Sequence, residues 1–182
     1  MIAIPSRTFD LALHMMITLR LLHILTGVFW AGAAFFAVSF LFGSMRDAGP
    51  AGNAVARQLI AVRQYPKKVF IIALIAVASG FALYGQNVSM SDGAFARSRA
   101  GMVYGLGGVA AVLTLVAGMV IMTPTSAKIG ALGAAIQAGG GAPTPEQAAE
   151  MARLQARMTM GSRLAATLLL FVVITMAIAR YM

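Results

Sequence analysis

The chain contains no cysteine. That excludes disulfides, thiolate metal sites, iron–sulfur ligation and covalent haem attachment through a CxxCH motif, so any haem must be held noncovalently. Acidic residues are nearly absent as well: only five Asp and Glu occur in 182 residues. None of them falls in the four long apolar stretches 21–43, 69–86, 101–122 and 164–179, which also lack Lys and Arg. Ion pumps, proton-coupled carriers and voltage sensors place carboxylates or arginines along an intramembrane path, and that pattern is missing here. The usual carboxylate general acids and bases are missing from the same region. There is no Gly-rich phosphate loop, nucleophile elbow, catalytic triad or zinc-ligand spacing, which leaves hydrolase and nucleotide-binding readings without residues to carry them.

What the chain has in abundance is apolar surface. Hydrophobic residues make up 60% and charged residues only 10%, the composition of an integral membrane protein rather than a water-soluble domain. Each of the four stretches is long enough to span a bilayer. The expected fold is all-α: a single transmembrane domain over 1–182, built as an up-and-down four-helix bundle with amphipathic helices in its long loops. Residues 9–19 are helix-compatible, so helix 1 is expected to reach back to about residue 10. A helix over 11–43 would be about 50 Å long against roughly 30 Å of hydrocarbon, and the excess is expected to project outward, with Arg20 at headgroup level.

The net charge of +9 reads as a topology signal rather than a nucleic-acid footprint, because the cations lie in loops beside the spans. Arg46, Arg57, Arg63, Lys67 and Lys68 follow span one; Lys128, Arg153, Arg157 and Arg163 follow span three. Arg7, Arg20, Arg97, Arg99 and Arg180 face the other way. This bias predicts both long loops in the cytoplasm and both termini outside, in a bacterial-type inner membrane. Arg20 also interrupts the first apolar run, and no cleavage motif follows a short apolar core, so the N-terminus does not read as a cleaved signal peptide.

Loop chemistry marks the helix boundaries. The turn cluster Asp47, Gly49, Pro50 and Gly52 precedes an amphipathic stretch over 53–64, whose Arg57 and Arg63 are placed to meet anionic lipid. Pro66 restarts the chain for span two. Thr123-Pro124 is expected to open the second loop, which passes through a short helix to Gly139-Gly140-Gly141. Thr144-Pro145-Glu146-Gln147 is a capping-box pattern with proline at the first helical position, and it predicts a helix from Pro145 into span four. Small residues in the spans, among them Ala76, Gly80 and the pair Gly101 and Gly105, favour close helix packing.

Chemistry concentrates in 19–36, LRLLHILTGVFWAGAAFF. His23 is an ionisable group in an apolar segment, and such groups are expensive there unless they serve a purpose. Counted at 100° per residue, Gly27, Trp30 and Ala34 share its face and Arg20 lies one turn before it. Imidazole as ligand, glycine as clearance and arginine for a carboxylate suit a haem; equally, a lone histidine commonly makes a structural hydrogen bond to a neighbouring helix. His14, half a revolution away, cannot share a metal with His23 on one straight helix. In an up-and-down bundle the groups expected near His23 in depth are Tyr84, Gln86, Met102, Tyr104 and Met176. Met102 is the preferred second iron ligand, since thioether and imidazole form a recognised haem pair, and Arg97 and Arg99 could join Arg20 at the propionates. Met119 and Met122, near Met158 and Met160, would suit Cu(I), but they are expected across the bilayer from His23. Copper is therefore the alternative metal.

The segment resembles a first-helix signature, His-x-x-x-Gly-x-x-Trp-x-Gly, carried here by His23, Gly27, Trp30 and Gly32. It is found in several bacterial membrane groups: copper-resistance D-like proteins, the membrane domain of urate oxidase-like proteins, and the membrane protoporphyrinogen oxidase family. The last associates the histidine with haem and has a functional lysine farther along; here Arg97 and Arg99 precede the third span, and it contains no lysine. The resemblance implies haem binding at His23. The resulting expectation is a haem b protein in the membrane lipid, with His23, Gly27, Trp30, Arg20, Arg99 and Tyr104 about the cofactor and His23 and Met102 on the iron, passing electrons between a quinone and a partner. Any catalysis would be that of a haem-dependent membrane oxidoreductase. The alternative is a noncatalytic subunit of a larger membrane complex, or a homodimer, with His23 and Trp30 as interhelical contacts.

Overall fold

The computed structural model describes residues 6–140 and 142–182. Gly141 of the expected triple-glycine turn and the side chains of Arg7 and Phe9 lie outside the described residues. Helix α1 (Ser6–Phe36) runs through a widened π turn (Ala37–Leu41) into α2 (Phe42–Asp47). Helix α3 (Pro50–Arg57) continues as a second π turn (Gln58–Val62), and α4 spans Tyr65–Met90. The short α5 (Ala94–Arg97) leads to α6 (Arg99–Ala117), a third π turn (Gly118–Met122) and α7 (Thr123–Ala138). Helix α8 (Pro145–Ile178) closes the chain with a 3₁₀ turn (Ala179–Tyr181). No strand occurs among the described residues. Four helical stretches, Leu13–Asp47, Tyr65–Met90, Arg99–Ala138 and Pro145–Tyr181, are long and apolar enough to cross a membrane, as a multi-pass membrane protein requires.

The long helices form two antiparallel pairs, α1 with α4 and α6 with α8, joined by lesser α4–α6 and α1–α8 contacts. Where they meet, the core is thin and built largely of small residues. Trp30, Ala73, Ala76, Ala111 and Leu169 form it, flanked by Ala34, Val69, Leu115 and Val172. Small side chains let helix backbones approach closely, and van der Waals packing then replaces the hydrophobic effect that lipid does not supply. The large apolar side chains point outward instead: Leu25 and Val28 on α1 are 67% and 68% exposed. An apolar girdle of this kind suits hydrocarbon surroundings and would be an aggregation liability in water.

Glycine contacts lock the α6–α8 pair. A methyl group added at Gly107 would lie 2.5 Å from Thr175 Oγ1 and 3.1 Å from Met176 Cε, and one at Gly161 would lie 3.1 Å from Ile121 Cγ2. Gly101 packs against the Phe95 carbonyl, and Gly105 faces the Tyr84 hydroxyl. The glycines at 101 and 105 therefore serve packing within the bundle.

Two boundary expectations hold. Thr144 Oγ1 accepts from the Gln147 N–H, and the Gln147 side chain accepts from the Thr144 N–H, so α8 starts in a complete capping box with Pro145 in its first turn. It then runs unbroken into the fourth apolar stretch. A third is met in part: Pro124 stands in the first turn of α7, which runs to Ala138 just before Gly139, but no break separates α7 from the helix before it. Proline lacks an N–H and its ring crowds the carbonyl four residues back. The π turn just before it widens the helix, with the Thr123 N–H and Oγ1 both donating to the Gly118 carbonyl, so the helical path continues to Ala138.

The Tyr65 hydroxyl donates to the Ala33 carbonyl at 3.2 Å, and His23 bonds to Ala76. These two contacts set the antiparallel register of α1 on α4. Residues 37–47 consequently overhang the start of α4, whereas the residues before His23 lie alongside its second half. Relative to α4, the extra length of helix 1 thus lies at the end carrying the long loops, where its π turn packs on α8.

Candidate functional site

His23 is half-buried on the α4-facing side of α1. Its Nδ1 lies 2.8 Å from the Ala76 carbonyl oxygen. A carbonyl only accepts, so Nδ1 carries the proton and donates it. In the neutral ring Nε2 then keeps its lone pair, and no described residue bonds to it. This is the interhelical hydrogen bond expected of a structural histidine; it also leaves Nε2 unprotonated, as in metal-bound histidines that donate their other ring N–H to a carbonyl.

Room for the ring comes from α4. A methyl group added at Gly80 would lie 2.7 Å from His23 Cε1 and 3.1 Å from Nδ1, closer than such atoms approach. The imidazole therefore rests directly on the backbone at Gly80, one helical turn beyond the carbonyl it binds. Ser79, buried beside them, donates its hydroxyl to the Ile75 and Ala76 carbonyls at 2.6 and 3.1 Å. Gly80, Ala76 and Ser79 are thus site residues that sequence reasoning did not assign to His23; Ala76 and Gly80 were read only as small packing positions. The i, i+4 spacing of Ala76 and Gly80 was the available signal, but it needed the α1 register to acquire a partner.

The face expected on α1 separates into two parts. Trp30 is 8% exposed and belongs to the core with Ala73 and Ala76. Gly27 faces open space, with nothing within 4 Å of an added methyl group. Arg20 is exposed; in the register set by Ala33 and Ala76 it stands level with the middle of α4 rather than at the end of the bundle, so the headgroup placement expected for it does not follow.

The other expected site residues lie elsewhere. His23 meets Gly80, whereas Tyr84, a turn farther along α4, already faces Gly105. Met102 lies almost another turn beyond Gly105 and is 53% exposed, so the bundle does not bring its sulfur to the His23 ring. Tyr104 joins an aromatic row, its ring 6.2 Å from Phe95, which is 5.5 Å from Tyr84. Arg97 and Arg99 are exposed at the same end. Gln86 Oε1 is buried without a hydrogen-bond partner among the described residues. Met176 packs its methyl against Gly107, within the α6–α8 pair. Of the methionines considered for copper, Met122 sits by Gly161 at the long-loop end and Met160 is 68% exposed; neither lies in the His23 layer. No group of three or more His, Cys, Asp or Glu side chains is placed to hold a metal ion among the described residues.

The donor set about His23 is therefore one correctly oriented imidazole, with clearance at Gly27 and a cation one turn away. It does not provide the closed donor cage that a structural or copper ion needs. Comparison with protein-family models, with curated proteins and with solved structures finds no match for this chain.

Proposed function

We propose that this protein binds haem b in the inner membrane through His23 Nε2 and passes electrons between a quinone and a partner. The observation that carries the reading is the hydrogen bond from Nδ1–H to the Ala76 carbonyl, which selects the ligating tautomer and holds the ring in one orientation before any cofactor arrives. Preorganisation of this kind removes an ordering cost from binding. Bound haem would supply one-electron chemistry. The chain's own contribution is to hold the imidazole, to leave space over Gly27, and to offer Arg20 to a propionate. The excess of Lys and Arg at the end carrying residues 37–68 and 123–163 supports a cytoplasmic position for that end, with both termini outside.

The test is haem reconstitution of purified protein and of His23→Ala. The variant is expected to lose the Soret band while keeping its helical circular dichroism and its gel-filtration position, and added imidazole should restore part of the band by occupying the vacated space. A Soret band unchanged by His23→Ala would overturn the assignment.

A second reading, an accessory subunit of a larger membrane complex, draws on Arg20. An exposed arginine level with the middle of an apolar helix is costly in lipid, and a carboxylate on a partner's transmembrane helix would relieve that cost. Copurification of a stoichiometric partner without any chromophore would favour this reading over the first.

A further inference from the structure

At the long-loop end, α7 and α8 enclose a cleft in two parts. The first is a cavity of about 60 Å³ lined by Pro124, Thr125, Lys128, Arg153, Leu154 and Arg157. The second is an open groove of about 490 Å³ lined by Ile121, Ala156, Arg157 and Met160. Arg157 lines both.

The cavity has a firm floor. Thr125 and Leu154 are 2% and 4% exposed, and the Thr125 hydroxyl donates to the Ile121 carbonyl at 2.6 Å. Its charge is unbalanced. Both carboxylate oxygens of Glu150 accept from the Arg153 guanidinium, at 2.7 and 2.8 Å, and the same carboxylate is within electrostatic reach of Lys128. Lys128 and Arg157 enter no ion pair among the described residues. Three cations, Lys128, Arg153 and Arg157, thus line the cavity against the one carboxylate of Glu150, which leaves it net positive.

The groove has the opposite character and a definite direction. Stepping from Lys128 to Ile121 on one side, and from Arg157 to Met160 on the other, leads out of the charged cavity toward the apolar lengths of α6 and α8. Immediately beyond, Gly161 packs on Ile121. An occupant must be anionic where it meets Lys128 and Arg157 and aliphatic where it continues toward the membrane interior. A zwitterionic choline head would bring its own cation beside theirs. We infer that this cleft is a binding site for an anionic phospholipid, with its phosphate between Lys128 and Arg157 and one acyl chain along Ile121, Ala156 and Met160. This inference does not depend on the haem reading.

Native mass spectrometry of the full-length protein in detergent tests it, with dioleoyl phosphatidylglycerol, dioleoyl phosphatidylcholine and inorganic phosphate as probes. One phosphatidylglycerol per chain is expected to bind in preference to phosphatidylcholine. Lys128→Gln and Arg157→Gln should each weaken it about fivefold, the usual effect of one cation near an anionic lipid. Ala156→Trp, which fills the groove, should weaken it as well. Arg46→Gln removes an exposed cation outside the cleft and should change nothing. Circular dichroism of each variant confirms that the helices persist. Equal binding of the two lipids would overturn the proposal, as would an Arg46→Gln effect as large as that of Arg157→Gln, which would mean diffuse attraction. Full competition by inorganic phosphate, with Ala156→Trp silent, would replace the lipid with a free phosphate.

Discussion

The imidazole of His23 occupies the volume that a side chain at position 80 would need: a methyl group on Gly80 would stand 2.7 Å from His23 Cε1. Histidine and glycine are thus one interhelical unit, closed by the Nδ1 hydrogen bond to Ala76. Gly80→Ala is expected to destabilise the bundle by about 1–3 kcal/mol, the range for overpacking a close contact. In the His23→Ala background the added methyl should be accommodated, so the double-mutant cycle should show strong coupling. Unfolding titrations in mixed micelles measure it, and simple additivity would contradict the contact.

Gly107 and Thr175 make the corresponding lock between α6 and α8. Gly107→Ala should cost a similar amount, about 1–3 kcal/mol, because the new methyl meets Thr175 Oγ1 at 2.5 Å. Thr175→Ala should recover part of that loss by removing the hydroxyl. The same unfolding titration reads both variants; failure of the second change to help would place the strain on Met176 instead.

Gly27 separates structure from function. Nothing lies within 4 Å of a methyl added there, so Gly27→Leu should not destabilise the bundle and should gain up to about 1 kcal/mol from helix propensity. Haem content should nevertheless fall, because the leucine would occupy the space assigned to the ring. Wild-type haem content in this variant would move the cofactor off this face of α1.

Thr144→Ala removes the side-chain half of the capping box at the start of α8. The expected cost is about 1 kcal/mol, confined to the first turns, so limited proteolysis should cut faster near residues 139–150 while the membrane-embedded length stays protected. An unchanged cleavage rate would show that tertiary packing, rather than the cap, holds this terminus.

What was legible in the sequence is what local chemistry determines. Thr144 and Gln147 announce a capping box by spacing alone, and the apolar stretches announce four long helices by length. The depth of His23 was not legible. Helix α1 is apolar along most of its length, so its pattern is equally consistent with several registers against α4. The register is set by two remote contacts, Tyr65 with Ala33 and His23 with Ala76. Those contacts move His23 away from Met102 and bring it to Gly80. Pro124 marked the first turn of α7 as expected; what the sequence did not show is that the π turn at 118–122 joins that helix to α6 without a break. That His23 and Trp30 make interhelical contacts was read from the first helix alone; the carbonyl that orients the imidazole was not, because it belongs to a helix more than fifty residues away.

The most direct test of the central claim is an absorption spectrum of the purified protein, oxidised and then reduced with dithionite, with iron and copper quantified on the same sample. Haem ligation by His23 predicts a Soret band, sharp α and β bands on reduction, and about one iron per chain, since a single oriented imidazole serves a single haem. A featureless spectrum without iron would contradict it and leave His23 as the structural partner of Ala76 and Gly80.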